Sequence, residues 1–127
     1  MKVSDLLALN LCEEYNEERL IELFGTGEFT SLDIANCNIS AGDRVFCLFR
    51  PQFISEENIR RLALIFLSRA TESNTEDYFQ LYPRIISEDI NIVIHGVYDI
   101  YKIFFKKNLP LMEQSEWLLA EIVKCLQ

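Results

Sequence analysis

Ile90-Asn91-Ile92-Val93-Ile94-His95-Gly96-Val97-Tyr98-Asp99-Ile100-Tyr101-Lys102-Ile103-Phe104-Phe105 is the stretch that decides the fold. Within it Ile90, Val93, Ile94, Val97, Ile100, Tyr101 and Phe104 recur at spacings of three and four. That period places them on one face of a helix and predicts a core-facing stripe. Ser87-Glu88-Asp89 supplies the start, with acids at the positive end of the helix dipole, and Lys106-Lys107-Asn108 a matching end. Asn91, His95, Asp99 and Lys102 interrupt the stretch. The longest unbroken apolar run, Leu62 to Leu67, is far below the roughly 20 residues of a membrane span.

Downstream, Pro110 precedes a last helix striped by Leu111, Ser115, Leu118, Leu119, Ile122, Cys125 and Leu126. Upstream, Thr75 is expected to cap a short helix through Tyr78, Phe79 and Tyr82 that Pro83 breaks. Ser55-Glu56-Glu57-Asn58 is a capping serine followed by first-turn acids. Its helix carries Ile59, Leu62, Ala63, Phe66 and Leu67 on one face and ends near Thr71. Residues 28–54 read less directly. Thr30 or Ser31 caps a short helix through Leu32, Ile34 and Ala35, and Ser40-Ala41-Gly42-Asp43 resembles a helix start. Val45 to Phe49 is then either a buried helical turn or a short buried strand, closed by Pro51. At the beginning of the chain Ser4 is the expected cap of a first helix striped by Leu7, Leu11 and Tyr15. Asn16 caps a second, with Leu20, Ile21 and Phe24 on its apolar face, stopped at Gly25-Thr26-Gly27. The expectation is an all-α fold. It is one domain over residues 1–127 with five to seven helices and room for a small strand pair near residues 44–54. A chain of 127 residues buries roughly two-thirds of its unfolded surface and needs neither disulfide nor metal to stand.

The net charge of −8 is unevenly spread. Residues 1–43 hold nine acids and two bases, residues 44–71 five arginines and two acids, and residues 72–101 six acids and one arginine. A surface of this sign repels nucleic acid and anionic membrane and attracts basic proteins. The arginines Arg44, Arg50, Arg60, Arg61 and Arg69 come without glycines or a nucleic-acid motif, and are expected to pair with the acidic segments across the fold. Cys12, Cys37, Cys47 and Cys125 form no Cys-x-x-Cys pair and read as buried thiols of a reducing compartment, where disulfides are rare; a Cys37–Cys47 bridge is the minor alternative. With Met1-Lys2-Val3-Ser4-Asp5 unlike a secretory leader, a cytoplasmic location follows as the expectation.

Catalytic and metal constellations are sparse. One histidine and dispersed cysteines give no local ligand pair, so no metal and no cofactor is expected. Gly25-Thr26-Gly27 lacks the rest of a phosphate loop. His95 lies four residues before Asp99, so a carboxylate one helical turn away is placed to orient the imidazole. A small enzyme built on that pair requires an open pocket at His95. Carboxylate pairs are plentiful, but helix capping accounts for Glu56-Glu57, Glu76-Asp77 and Glu88-Asp89. The group Glu13, Glu14, Glu17, Glu18 and Glu22, offset by Arg19 alone, is different. Glu14, Glu18 and Glu22 stand at four-residue spacing, where like charges on one helix repel by a few tenths of a kcal/mol per pair. This group is the leading candidate for a partner-binding surface. Glu72, Glu76, Asp77, Glu88 and Asp89 are the reserve, with Glu76 and Asp77 its foremost members.

A small, acidic, single-domain cytosolic chain with clustered carboxylates from Glu13 to Glu22 resembles the bacterial toxin-immunity proteins of the contact-dependent growth-inhibition and colicin type. The resemblance implies a non-enzymatic inhibitor that binds a basic toxin domain one to one, often a nuclease. Its carboxylates would mimic phosphates and occlude the active site. The alternative expectation is a helical adaptor or regulatory subunit that docks a partner through an apolar groove.

Overall fold

A computed structural model describes residues 1–11, 13–72 and 75–126. The chain folds as α1 (Val3–Leu7), α2 (Glu17–Phe24), α3 (Ser31–Asn36), α4 (Ala41–Leu48), α5 (Glu56–Ala70), α6 (Thr75–Ile85), α7 (Ile90–Lys106) and α8 (Leu111–Cys125). These are eight helices among the described residues, one more than the upper expectation, and no strand occurs among those residues. The stretch near residues 44–54 resolves in favour of helix. Ser40 accepts a hydrogen bond from the Asp43 N–H and starts α4, and Arg50 and the turns after it lead into α5.

The long helices follow their stripes. On α5, Ile59, Leu62, Ala63, Phe66, Leu67 and Ala70 are buried, an uninterrupted i, i+3, i+4 face. Ser55 accepts from the Asn58 N–H at its start, and the buried Thr71 hydroxyl returns to the Leu67 carbonyl at its end. On α7, Val93, Val97, Ile100 and Phe104 are buried as the spacing requires, joined by Gly96 and Ile103. Asp89 accepts from the Asn91 N–H as its cap. α7 packs along α5 and α6, while α8 packs chiefly on α4 and also meets α5 and α7. Phe66 sits where they converge, 5.2 Å between ring centroids from both Tyr101 and Phe104 and 6.1 Å from Trp117.

Three elements depart from the sequence reading. The first helix ends at Leu7 and does not carry its stripe on to Leu11 and Tyr15; Asn10, at φ 53°, turns the chain. Lys2, not Ser4, is its cap position, and the Asp5 carboxylate accepts from the Lys2 N–H. α6 runs through Pro83 to Ile85. The proline forgoes one bond, the N–H it would have given to the Phe79 carbonyl, and two helical residues follow it. This end of the helix seats Ile85 against Gly96 of α7, where a Cβ would lie 2.8 Å from the Ile85 Cδ1. Thr75 is itself the first residue of α6, and the position before it lies outside the described residues. On α8, Leu111 is exposed and the buried face begins at Gln114 and Ser115.

The short helices of the first half are held by caps and cross-links. Asn16 accepts from the Arg19 N–H, and Thr30 and Asp33 satisfy each other's backbone N–H groups. Gly25 stops α2 at φ 76° and ψ −168°, a conformation open only to glycine. Tyr15 donates to Asp43 at 2.5 Å and ties the loop before α2 to α4.

Candidate functional site

Among the described residues the five arginines of the basic segment do not form ion pairs with carboxylates. Arg44 donates to the Ala35 carbonyl at 2.7 Å, and Arg50 to the Phe46 and Leu9 carbonyls, each at 3.2 Å. Arg60 reaches the Ser87 and Glu88 carbonyls. Arg61 reaches the Asn58 side chain and the Cys125 sulfur. Arg69 reaches Gln114 and lies 4.2 Å over the Trp117 ring. The Ala35 and Phe46 carbonyls belong to the last turns of α3 and α4, where carbonyls lack a partner within the helix and sit at the negative end of its dipole. The sequence-based expectation of acid pairing fails because a helix end competes well for a guanidinium.

The consequence appears on the acids. Glu13 and Glu14 lie in the loop before α2, Glu17 and Glu18 in its first turn, and Glu22 near its end; all five are exposed. Only Glu22 makes an ion pair among the described residues, with Arg19 at 3.2 Å on the surface. Glu14 is outside the helix, so of the four-residue series only Glu18 and Glu22 share one. Glu17, Glu18 and Glu22 line a shallow open depression together with Ile21, which is 36% exposed. A second depression joins Ile21 and Glu17 to Leu7 of α1. The structure thus brings Glu17, Glu18 and Glu22 together around Ile21 on one exposed edge, the acidic ridge, with Glu13 and Glu14 in the loop that leads into it.

The reserve cluster is divided. Asp77 is largely covered and faces Lys106 of α7 at 3.9 Å, and Glu76 is exposed beside it. Glu88 and Asp89 lie past the other end of α6, about 16 Å along at 1.5 Å per residue. α6 packs against α5 and α7 while α2 packs against α1, so the two acidic clusters belong to different parts of the fold.

His95 is exposed on α7 and borders a cleft of about 330 Å³. Its expected partner is turned elsewhere: Asp99 holds Arg84 with one oxygen and Lys102, at 3.1 Å, with the other. The cleft is built from the α7 face Asn91, Ile94, His95 and Tyr98, at spacings of three and four, set against Phe46, Arg50 and the turn after α4. The Arg50 guanidinium lies 5.0 Å from the Phe46 ring centroid, and the Phe46 and Tyr98 rings are 5.5 Å apart. Burial pushes the Tyr98 phenol up to about 12, against the opposing pull of Arg50. Sequence reasoning singled out His95 but missed Arg50 and Tyr98. The readable signal was the polar flank Asn91, His95 and Tyr98 beside the apolar stripe of the same helix.

Cys37, Cys47 and Cys125 carry free thiols, and Cys12 lies outside the described residues. Burial pushes the Cys47 thiol up to about 11 and raises that of Cys37, so both are protonated and unreactive at neutral pH. Among the described residues no group of three or more His, Cys, Asp or Glu could hold a metal ion, and no helix is long and apolar enough to cross a membrane. Compared with protein-family models, with curated proteins and with solved structures, the chain gives no significant match.

Proposed function

We propose that this chain is an immunity protein of the bacterial cytoplasm. It binds a basic toxin domain, of nuclease type, and covers its active site with the ridge formed by α2 and the loop before it. One observation carries the reading. Glu13, Glu14, Glu17, Glu18 and Glu22 stand exposed, five carboxylates against two neighbouring cations, Arg19 on α2 and Lys2 at the Glu17 edge, while the arginines of residues 44–69 are engaged by carbonyls, amides and Trp117. The chain's own cations therefore leave the ridge with a net negative charge, and its field speeds encounter with a positively charged partner. The carboxylates occupy the sites where the toxin would hold substrate phosphates, and Ile21 supplies an apolar anchor at the centre. The role is stoichiometric binding without turnover.

The test is co-purification of the tagged protein from its native host together with the product of the neighbouring gene, washed at low and then high salt. The expected result is a stoichiometric basic partner that salt releases, and that a Glu14→Lys, Glu18→Lys variant captures about tenfold or more less well. Equal capture by that variant would refute the reading. The adaptor alternative rests on the corner between α7 and α8, where Phe105 (73% exposed), Leu109 and Met112 (71% exposed) project within eight residues. It predicts salt-resistant capture of a partner that is not basic.

A further inference from the structure

We infer that the cleft between α4 and α7 is a binding site for a small organic monocarboxylate, held by Arg50 and Tyr98. This site shares no residue with the acidic ridge, and its existence does not depend on the immunity reading.

Arg50 is held in place before any ligand arrives. Its Nε donates to the Phe46 carbonyl, one Nη1 hydrogen to the Leu9 carbonyl, and its plane rests over the Phe46 ring. A guanidinium has five N–H donors, so three are left for a ligand. No carboxylate pairs with it among the described residues, although the chain carries eight more negative than positive charges. The Tyr98 hydroxyl makes no hydrogen bond among those residues either. It keeps its proton at neutral pH, as burial dictates, and so is a donor. Asn91 and Gln52 bring to the same cleft carboxamides that have no side-chain partner among the described residues, and Ile94 gives it an apolar wall. A fixed fork of N–H donors, with a phenol lining the same cleft, is an arrangement that recognises a carboxylate. One fixed cation inside an acidic protein matches one negative charge. A dianionic phosphate would bring a second charge with nothing fixed to receive it. At about 330 Å³ the cleft is at the small end of ligand sites, so the body attached to the carboxylate is small.

The experiment is NMR titration of the intact protein with a panel of small monocarboxylates, benzoate and phenylacetate among them. Each is paired with its neutral amide, and inorganic phosphate is run alongside at a pH above its second ionisation, where it is the dianion. The expected result is saturable shifts at the side chains of Asn91, Gln52 and His95 with at least one carboxylate. Its amide should bind about tenfold more weakly, and phosphate should not compete. Arg50→Gln should abolish those shifts. Because Arg50 also braces the fold, Tyr98→Phe, which leaves the packing in place, provides the second variant and should weaken binding severalfold. Three outcomes with the free ligands overturn the inference: no carboxylate of the panel saturates, the amides bind as well as the acids, or phosphate competes equally. A carboxylate borne by a protein partner would give instead shifts with a carboxylate-terminated peptide of that partner and none with the free acids, which also overturns a small-molecule site.

Discussion

The first four helices and the last four reach the same all-α architecture by different physics. α1 to α4 are five to eight residues long, well under the roughly 12–15 at which a helix begins to hold on its own. They depend on caps at Asn16, Thr30 and Ser40, on Arg44 and Arg50 reaching neighbouring carbonyls, and on Tyr15 reaching Asp43. α5 to α8 are 11 to 17 residues long, and α5 and α7 bury continuous apolar faces against each other. The difference reaches the surface. Where cations are consumed in bracing short helices, the acids nearby are left bare, and the proposed binding ridge lies in that half.

The largest effect expected from this contrast is at Phe66. It is fully buried where α5, α7 and α8 meet, so Phe66→Ala should cost about 3–5 kcal/mol in urea unfolding. Phe24 of α2 is half-buried and stacked 4.4 Å from Phe29, and Phe24→Ala should cost about 1–2 kcal/mol. Equal costs would mean that the first half is held by its apolar packing as much as the second, and the contrast would fail.

Legibility in the sequence divides along the same line. Ile90 to Phe104 declares its helix because the apolar face is unbroken over several turns, and Ser55 to Leu67 does so for the same reason. The short helices are readable only at their caps: Asn16, Thr30 and Ser40 are where the side-chain chemistry puts them. The stripe Leu7, Leu11, Tyr15 misleads because Leu11 and Tyr15 do pack inward, but from beyond a turn that Asn10 makes in the left-handed region, while Leu7 stays exposed. Pro83 misleads in the opposite sense, since the gain from seating Ile85 on Gly96 arises in tertiary structure. The acidic ridge is legible because its residues are contiguous. The cleft is not, since Arg50 and the Asn91–Tyr98 face come from distant segments and meet only in the folded chain.

A middle-sized effect tests the caps directly. Thr30→Ala and Ser55→Ala each remove a side chain that accepts an N–H at 3.2 Å, and each should cost about 1 kcal/mol. Global stability will not distinguish them; amide hydrogen exchange will. α3 has six residues, so loss of its cap should abolish protection along its whole length. α5 has 15 residues fastened by its buried face, and only its first turn should fray. Survival of protection in α3 after Thr30→Ala would show that Arg44 holding the Ala35 carbonyl suffices to keep that helix.

The smallest stability effect bears most closely on function, because it separates what helps α2 fold from what helps it bind. Glu18 is in the first turn, where a carboxylate is favoured by the helix dipole, so Glu18→Lys should destabilise by about 0.3–1 kcal/mol, less a few tenths for relief of repulsion with Glu22. Glu22 is in the last turn, where the dipole disfavours it, and it stands four residues after Glu18. Glu22→Lys removes that repulsion, replaces it with attraction to Glu18 in the better orientation, acid before base, and gives the helix end a cation. It loses the exposed Arg19 contact, which is worth little. The net expectation is a gain of about a few tenths of a kcal/mol, read from paired thermal unfolding curves. Both reversals should weaken capture of a basic partner. If Glu22→Lys stabilises and also weakens capture, the carboxylate at 22 works against its own helix and for the interface. If it stabilises and leaves capture unchanged, the interface stops short of the last turn of α2 and is carried by Glu13, Glu14, Glu17 and Glu18.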